Sequence, residues 1–234
     1  MRPRCSGGSR IPWFPGRMRL NWILRPFGRR WCTGSSSMAE TVQVCFGGLG
    51  GQGIVLMGSI LGAAAVKEGI WAAGSNSYGA QARGSACRAE VVLSSGAVDF
   101  PRVISPDLLV ALSQEAYEKF LPALQDRGLV IHDSPGVQPR QDSAAVHCGI
   151  PGTRLALERL GSAQVANMIF LGAVAGLTDL VSLDALTRAA EEGAPQRFRE
   201  LNRKALQEGF SHGLEARQRF QRDMKEWLER FRIG

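Results

Sequence analysis

Between Thr41 and Ile54 the chain reads TVQVCFGGLGGQGI: an apolar run, a glycine turn and the start of a helix. Gly48, Gly50 and Gly53 carry the G-x-G-x-x-G spacing, with Gly51 and Gln52 filling the gap. Such glycines permit a tight turn, close backbone approach to a ligand and close helix-on-strand packing. The free N–H groups of the helix that follows favour an anion. A dinucleotide site needs one thing more: an acid about 20 residues on, at the end of the second strand, to bind the ribose hydroxyls. The second strand candidate, Ile70 to Ser77 (IWAAGSNS), has no acid, and Glu68 precedes it. The pattern therefore argues against NAD and leaves two readings, a phosphate cradle or a turn that serves packing alone.

Other reactive residues are scattered. Of five cysteines, Cys45, Cys87 and Cys148 lie in the body of the chain, far apart and without a C-x-x-C pair, so iron–sulfur and structural-zinc spacings are missing. Cys45 and Cys148 fall in strand-like runs, where cysteine serves as a small buried residue. His132, His147 and His212 are unclustered and suggest no metal site. Unpaired thiols of this kind fit a reduced, cytoplasmic protein.

The net charge of +7 divides unevenly. Residues 1–37 hold eight arginines and no acid, whereas residues 38–234 hold 20 basic and 21 acidic residues. The body thus gives no electrostatic reason to invoke nucleic acid. The leader has the composition of an organellar transit peptide, or of sequence upstream of a start at Met38 or Met18. Its longest apolar stretch, Trp22 to Leu24, is too short for a secretory signal, and its prolines and lack of period predict disorder. Nowhere does the chain approach the roughly 18 consecutive apolar residues of a membrane span.

The elements that must position the glycine loop alternate. A helix from Gly53 to Glu68 puts Ile54, Met57, Leu61 and Ala65 on one face, and the second strand follows it. A polar loop, Ser77 to Cys87, leads to a third strand, Arg88 to Ser94. Leu108 to Leu112 reads as a buried parallel strand, and Ser113 as the cap of a helix from Gln114 to Gln125. Further strands are expected at Leu129 to His132 and Ala145 to Ile150. Pro151 opens a helix stopped by Gly161. Val165 to Leu177 is an apolar, small-residue helix that packs on the sheet or on a partner. Asp179 and Ser182 begin a helix from Leu183 to Glu192, and another covers Pro195 to Phe210. The alternation predicts an α/β fold: a doubly wound, largely parallel Rossmann-like sheet with helices on both faces. A C-terminal amphipathic helix, residues 213–234, extends it, with Phe220, Met224, Trp227, Leu228 and Phe231 on one stripe for its own domain or another subunit.

Residues 38–212 resemble the gamma subunit of the 2-oxoacid:ferredoxin oxidoreductases, the group of pyruvate and 2-oxoglutarate enzymes. The resemblance is carried, in order, by GLGGQGI (Gly48 to Ile54), SYGAQARGSACRAEVVLS (Ser77 to Ser94), PDLLVALSQEAY (Pro106 to Tyr117), GIP (Gly149 to Pro151) and ANMIFLGAVAGL (Ala166 to Leu177). It spans roughly three quarters of the chain. Ser85 stands where the family usually has a second glycine.

The resemblance implies a subunit rather than a complete enzyme. Alpha, beta and in some cases delta subunits would carry thiamine diphosphate and iron–sulfur clusters, decarboxylate a 2-oxo acid, pass electrons to ferredoxin and release an acyl-CoA. The chain itself has no cluster-binding cysteine set and no G-D-G thiamine diphosphate signature, so the difficult chemistry would sit on cofactors of its partners. Coenzyme A needs anion sites but no ribose-binding acid. The residues expected to share it are Gly48, Gly50, Gly51, Gln52 and Gly53, with Ser77, Tyr78, Gly79, Arg83 and Arg88. The competing expectation makes Ser77 to Arg88 a polar interface with the catalytic subunits. Glu90 and Asn167 are expected to make structural bonds. Other readings are an indolepyruvate:ferredoxin oxidoreductase subunit, a non-catalytic assembly module and a nucleotide-dependent oxidoreductase.

Overall fold

A computed structural model of the chain describes residues 22–24 (backbone only), 40–77, 86–98, 100–220 and 227. Seven strands form one sheet in the order β1–β3–β4–β2–β5–β6–β7. They are β1 Trp22–Leu24, β2 Thr41–Leu49, β3 Trp71–Ser77, β4 Ala86–Ser94, β5 Leu108–Ala111, β6 Leu129–Asp133 and β7 Val146–Ile150. The helices are α1 Ile54–Lys67, α2 Gln114–Phe120, α3 Gly152–Leu160, α4 Ala166–Thr178, α5 Leu183–Gly193 and α6 Gln196–Arg219.

The fold class agrees with the sequence reading. β2, β5, β6 and β7 pair in parallel, and β3 runs in the same direction. The departure is β4, which lies antiparallel between β2 and β3. Residues 78–85 are the whole link from β3 to β4, and a parallel crossover needs a dozen or more residues. The chain must therefore fold straight back. β1 is a second departure: within a leader predicted to be disordered, Ile23 pairs antiparallel with Ala73 on the β3 edge. The rest of the leader lies outside the described residues.

Strand side chains alternate between two cores. Val42, Val44, Phe46, Leu108, Val110 and Ile131 face α1, α3, α4, α5 and α6, whereas Cys45, Leu109, Ala111 and Val130 face α2. The three thiols are buried, and burial pushes Cys45 up to about 12 and Cys148 to about 11. Cys45 and Cys148 are packing residues, as expected, and Cys87 is buried as well.

Helix ends follow local chemistry where caps exist. Ser113 Oγ accepts Ala116 N–H, Ser182 Oγ accepts Ala185 N–H, and Gly161 closes α3 at φ 68°. Three boundaries differ from expectation. α2 stops at Phe120 and gives way to a 3₁₀ turn, because Pro122 has no N–H for an α-helical bond. Asp179, expected to begin a helix, instead ends α4 at φ 61°. The helix expected to end at Phe210 runs on to Arg219, passing unbroken through Gly213.

α4 explains that continuity. All of its residues are buried between the sheet and α6 in the chain's own core, so it packs at home rather than on a partner. Gly172 and Gly176 of α4 lie against the backbone of Leu206 and Phe210 in α6, and Gly209 and Gly213 of α6 against that of Ile169 and Ala173 in α4. A Cβ at Gly213 would stand 2.5 Å from the Ala173 carbonyl oxygen. Close packing here outweighs the low helix propensity of glycine. Farther on, Trp227 is buried in the same core, and its Nε1–H donates to the Asp107 carbonyl at 3.3 Å. At that position the C-terminal stripe covers its own domain; Met224, Leu228 and Phe231 lie outside the described residues.

Candidate functional site

β2 and β5 are neighbouring parallel strands whose following helices leave to opposite faces, α1 to one and α2 to the other. That makes the C-terminal edge between them a topological switch point, the crevice where open α/β sheets bind ligands. The glycine loop lies on this crevice. Gly51 (φ 101°) and Gly53 (φ 74°) occupy the left-handed region that favours glycine. At Gly48 a Cβ would lie 2.6 Å from both Gln52 Oε1 and Ile54 Cδ1, so a side chain there would push on the ends of these two side chains.

Gln52 ties the loop down. Its Oε1 accepts Leu49 N–H at 2.6 Å, and its Nε2 donates across the crevice to the Leu112 carbonyl at 3.2 Å. Gly53 caps α1 without a side-chain hydrogen bond, and the first turn carries no acidic residue. The leading N–H groups of α1 therefore keep their positive end of the helix dipole uncompensated.

Two of the more distant expected residues reach this edge. Arg88 pairs with Gly47 in the sheet register, on the α2 side. Its guanidinium lies 3.1 Å from Glu90 and 5.5 Å from the Phe120 ring centroid, and the side chain is 37% exposed. Part of its charge is thus engaged, while Glu90 also accepts Ser75 Oγ–H at 2.6 Å, the structural role expected of it. Ser77 is exposed and stands opposite Arg88 on β3, beyond β4 from the loop. Tyr78, Gly79 and Arg83 lie outside the described residues.

Sequence reasoning did not connect Asn167 with the loop. It is the second residue of α4, and its amide lies against Gly53, where a Cβ would overlap Nδ2 and come within 3.1 Å of Cγ. Asn167 Oδ1 accepts Met168 N–H at 2.9 Å, so a structural bond exists as expected, but it engages only one end of the amide. An asparagine at a helix start was the available signal; its loop partner was not.

A correction concerns the histidines. His132 on β6 and His147 on β7 are not separate: their rings stand 6.2 Å apart beneath α2. The Tyr117 hydroxyl accepts Arg140 N–H and pairs with His147 Nε2, both at 2.9 Å, and His147 Nδ1 meets the Ala145 carbonyl at 3.0 Å. This makes Nδ1 the protonated nitrogen and Tyr117 the donor. His132 is buried with Nδ1 unpartnered. Burial, and then the neighbouring His147, pushes it down to about 4. Asp133, beside it, caps α3 through Thr153. Among the described residues no three His, Cys, Asp or Glu side chains form a metal-binding group.

The fold and crevice define an α/β domain with a glycine loop and a helix N-terminus without a side-chain cap at its switch point. The comparisons make this specific. Residues 43–212 match the pyruvate ferredoxin/flavodoxin oxidoreductase family, and the chain belongs to that family. It is 40% identical over 173 residues to the 2-oxoglutarate synthase subunit KorC of Methanocaldococcus jannaschii, covering 72% of this chain and 91% of that one. It also resembles the crystal structure of a keto/oxoacid ferredoxin oxidoreductase gamma subunit from Geobacter sulfurreducens. There the TM-score is 0.69 and the identity 37%, over 75% of this chain and 98% of that one. The fold recurs in the 2-oxoglutarate:ferredoxin oxidoreductase of Magnetococcus marinus, solved with 2-oxoglutarate, coenzyme A and succinyl-CoA bound. In that case the TM-score is 0.62 and the identity 21%, over 83% of this chain and 32% of that one. No helix among the described residues is long and apolar enough to cross a membrane.

Proposed function

We propose that this chain is the gamma subunit of a multi-subunit 2-oxoacid:ferredoxin oxidoreductase of the 2-oxoglutarate type, and that its glycine loop holds a phosphate of coenzyme A during formation of the acyl-CoA. The observation that carries the first part is the 40% identity to a 2-oxoglutarate synthase subunit over 91% of that subunit's length. Alpha, beta and, where present, delta subunits then supply thiamine diphosphate, the iron–sulfur clusters and the route to ferredoxin, in the cytoplasm.

The second part is supported by the loop. Nothing lies within 4 Å of a Cβ built on Gly51, so a ligand can approach the backbone there, and the N-terminus of α1, without a side-chain cap, offers donors without a competing acid. The missing ribose acid at the end of β3 suits coenzyme A, whose anionic groups are phosphates. When bound, coenzyme A supplies the thiol that accepts the acyl group. This chain's residues bind and orient its phosphate end, with Arg83 and Arg88 adding charge-assisted bonds.

The test is Gly50→Asp combined with Arg83→Ala in the assembled complex. An apparent KM for coenzyme A raised at least about tenfold, with the KM for 2-oxoglutarate unchanged, is expected from loss of charge-assisted phosphate bonds. An unchanged KM for coenzyme A sinks the phosphate assignment.

A further inference from the structure

We infer that the outer edge of β3 is a strand-pairing surface and that residues 22–24 of this chain are its resident occupant, closing the sheet against a second copy of the chain. This holds whatever the glycine loop binds, and it gives the leader a place in the folded subunit.

A strand at the edge of a sheet presents a row of unpaired N–H and C=O groups, and proteins blunt such edges with short strands, charges, prolines or bulges. β3 has none of these. It is seven residues long, and Trp71–Ser77 reads WAAGSNS, without a charge or a proline. It pairs one to one with β4 from Trp71 opposite Ser94 to Ser77 opposite Arg88, without a bulge. The other edge of the sheet is managed differently: β7 has five residues and runs into Pro151, which has no N–H to offer.

Among the described residues, only β1 lies beyond β3. Trp22, Ile23 and Leu24 stand opposite Gly74, Ala73 and Ala72, in antiparallel register with the uncharged centre of the strand. The family match begins at residue 43, so this strand lies outside the matched domain and is supplied by the segment before it. Sixteen residues, 25–40, connect β1 to β2. The two strands are three places apart in the sheet, about 14 Å, and a link of that length can reach about 50 Å. It therefore spans the distance without strain, and such a tether presents β1 to the edge at a concentration on the order of mM. A second copy of β3 at micromolar concentration loses that competition. With β1 lifted off, the bare edge of one chain matches that of another, because two β3 strands can pair antiparallel about a two-fold axis.

Ile23→Pro with Leu24→Pro in the full chain tests this. Successive N–H groups of a strand point to opposite sides, so one of the two prolines removes a donor from the β1–β3 ladder whichever residue carries the bond. Ile23→Val with Leu24→Val keeps strand-forming residues and is the control. Hydrogen exchange read by mass spectrometry follows the β3 amides, with those of β5 and β6 reporting on the rest of the sheet, and sedimentation velocity follows association across the micromolar range. At the lowest concentration the proline variant should exchange at β3 at least about tenfold faster than wild type or control, with β5 and β6 unchanged. As its concentration rises it should dimerise and regain protection at β3, while the wild type stays monomeric. Unchanged exchange at β3 in the proline variant overturns the assignment of β1 as the occupant. Faster exchange in a variant that stays monomeric means that the edge needs no cover, and overturns the closure. Wild-type dimers that protect β3 would make a second copy, not β1, the resident and refute the inference. Loss of protection in β5 and β6 as well would make residues 22–24 part of the folding core, which also overturns it.

Discussion

Replacing Gly209 by alanine tests whether backbone contact between α4 and α6 holds the site's supporting layer. An ideal Cβ at Gly209 would stand 2.7 Å from the Ile169 carbonyl carbon and 2.8 Å from its Cα, and closer still to the carbonyl oxygen. Ordinary contact begins near 3.4 Å, so the helices must separate by at least about 0.7 Å. The obstacle is main chain in a helix buried on every side, with no flexible side chain to yield. Overpacking costs about 1–3 kcal/mol, and this geometry belongs at about 3. The helix propensity gained on replacing glycine by alanine returns about 1 kcal/mol. The net loss is about 2 kcal/mol, a Tm lower by roughly 4–8 °C for a domain of this size. Gly193→Ala, with nothing within 4 Å of its Cβ, is the matched control and should leave Tm unchanged or slightly raised. Calorimetry on the two variants decides. A Gly209→Ala protein as stable as the wild type would refute the close-packing argument. Because α4 carries Asn167 to Gly53, the same variant should also raise the coenzyme A KM.

Three further outcomes are expected. His132 is held down to about 4 in the fold and returns to about 6.5 on unfolding; the unfolded chain then binds more protons between those values, so stability is full above about pH 6.5 and falls as the pH drops towards 4. The loss should be on the order of 3 kcal/mol, at about 1.4 kcal/mol for each pKa unit. Asp133, pushed up by burial, opposes it only at the acidic end. Urea midpoints at pH 7 and 4.5 measure the slope, and an equal slope in His132→Gln would reject the assignment. Gln52→Ala removes both tethers of the loop and should cost about 1–2 kcal/mol while raising the coenzyme A KM, read by melting and steady-state kinetics. Trp227→Ala empties a buried site in the main core and should cost about 3–5 kcal/mol; a loss below 1 in a urea titration would mean the C-terminal segment does not pack there.

Much of this was legible in the residues. The β2–loop–α1 unit, the Ser113 and Ser182 caps and the Gly161 stop follow from local chemistry, and the structure places each within a residue or two of expectation. What escaped were pairings between distant segments. Nothing local to Gly53 announces Asn167, which arrives through the packing of α4. His132 and His147 become neighbours only when β6 and β7 pair. The direction of β4 was implicit in the eight residues between Ser77 and Ala86, but strand patterning is blind to direction. The glycine pairs four apart at Gly172 and Gly176, and at Gly209 and Gly213, were visible in sequence. The helix expected to end at Phe210 continues through Gly213 because the space a side chain there would need is filled by the backbone of α4.

The most direct measurement is to affinity-purify the full chain after co-expression with alpha and beta subunits of a 2-oxoglutarate:ferredoxin oxidoreductase from the same organism, and to assay coenzyme-A-dependent reduction of ferredoxin by 2-oxoglutarate with and without this chain. A complex containing thiamine diphosphate and iron–sulfur clusters, active with 2-oxoglutarate and inactive when this chain is omitted, is the expected result. A colourless protein that purifies alone, or a complex whose coenzyme-A-dependent activity is unaffected by its omission, would contradict it.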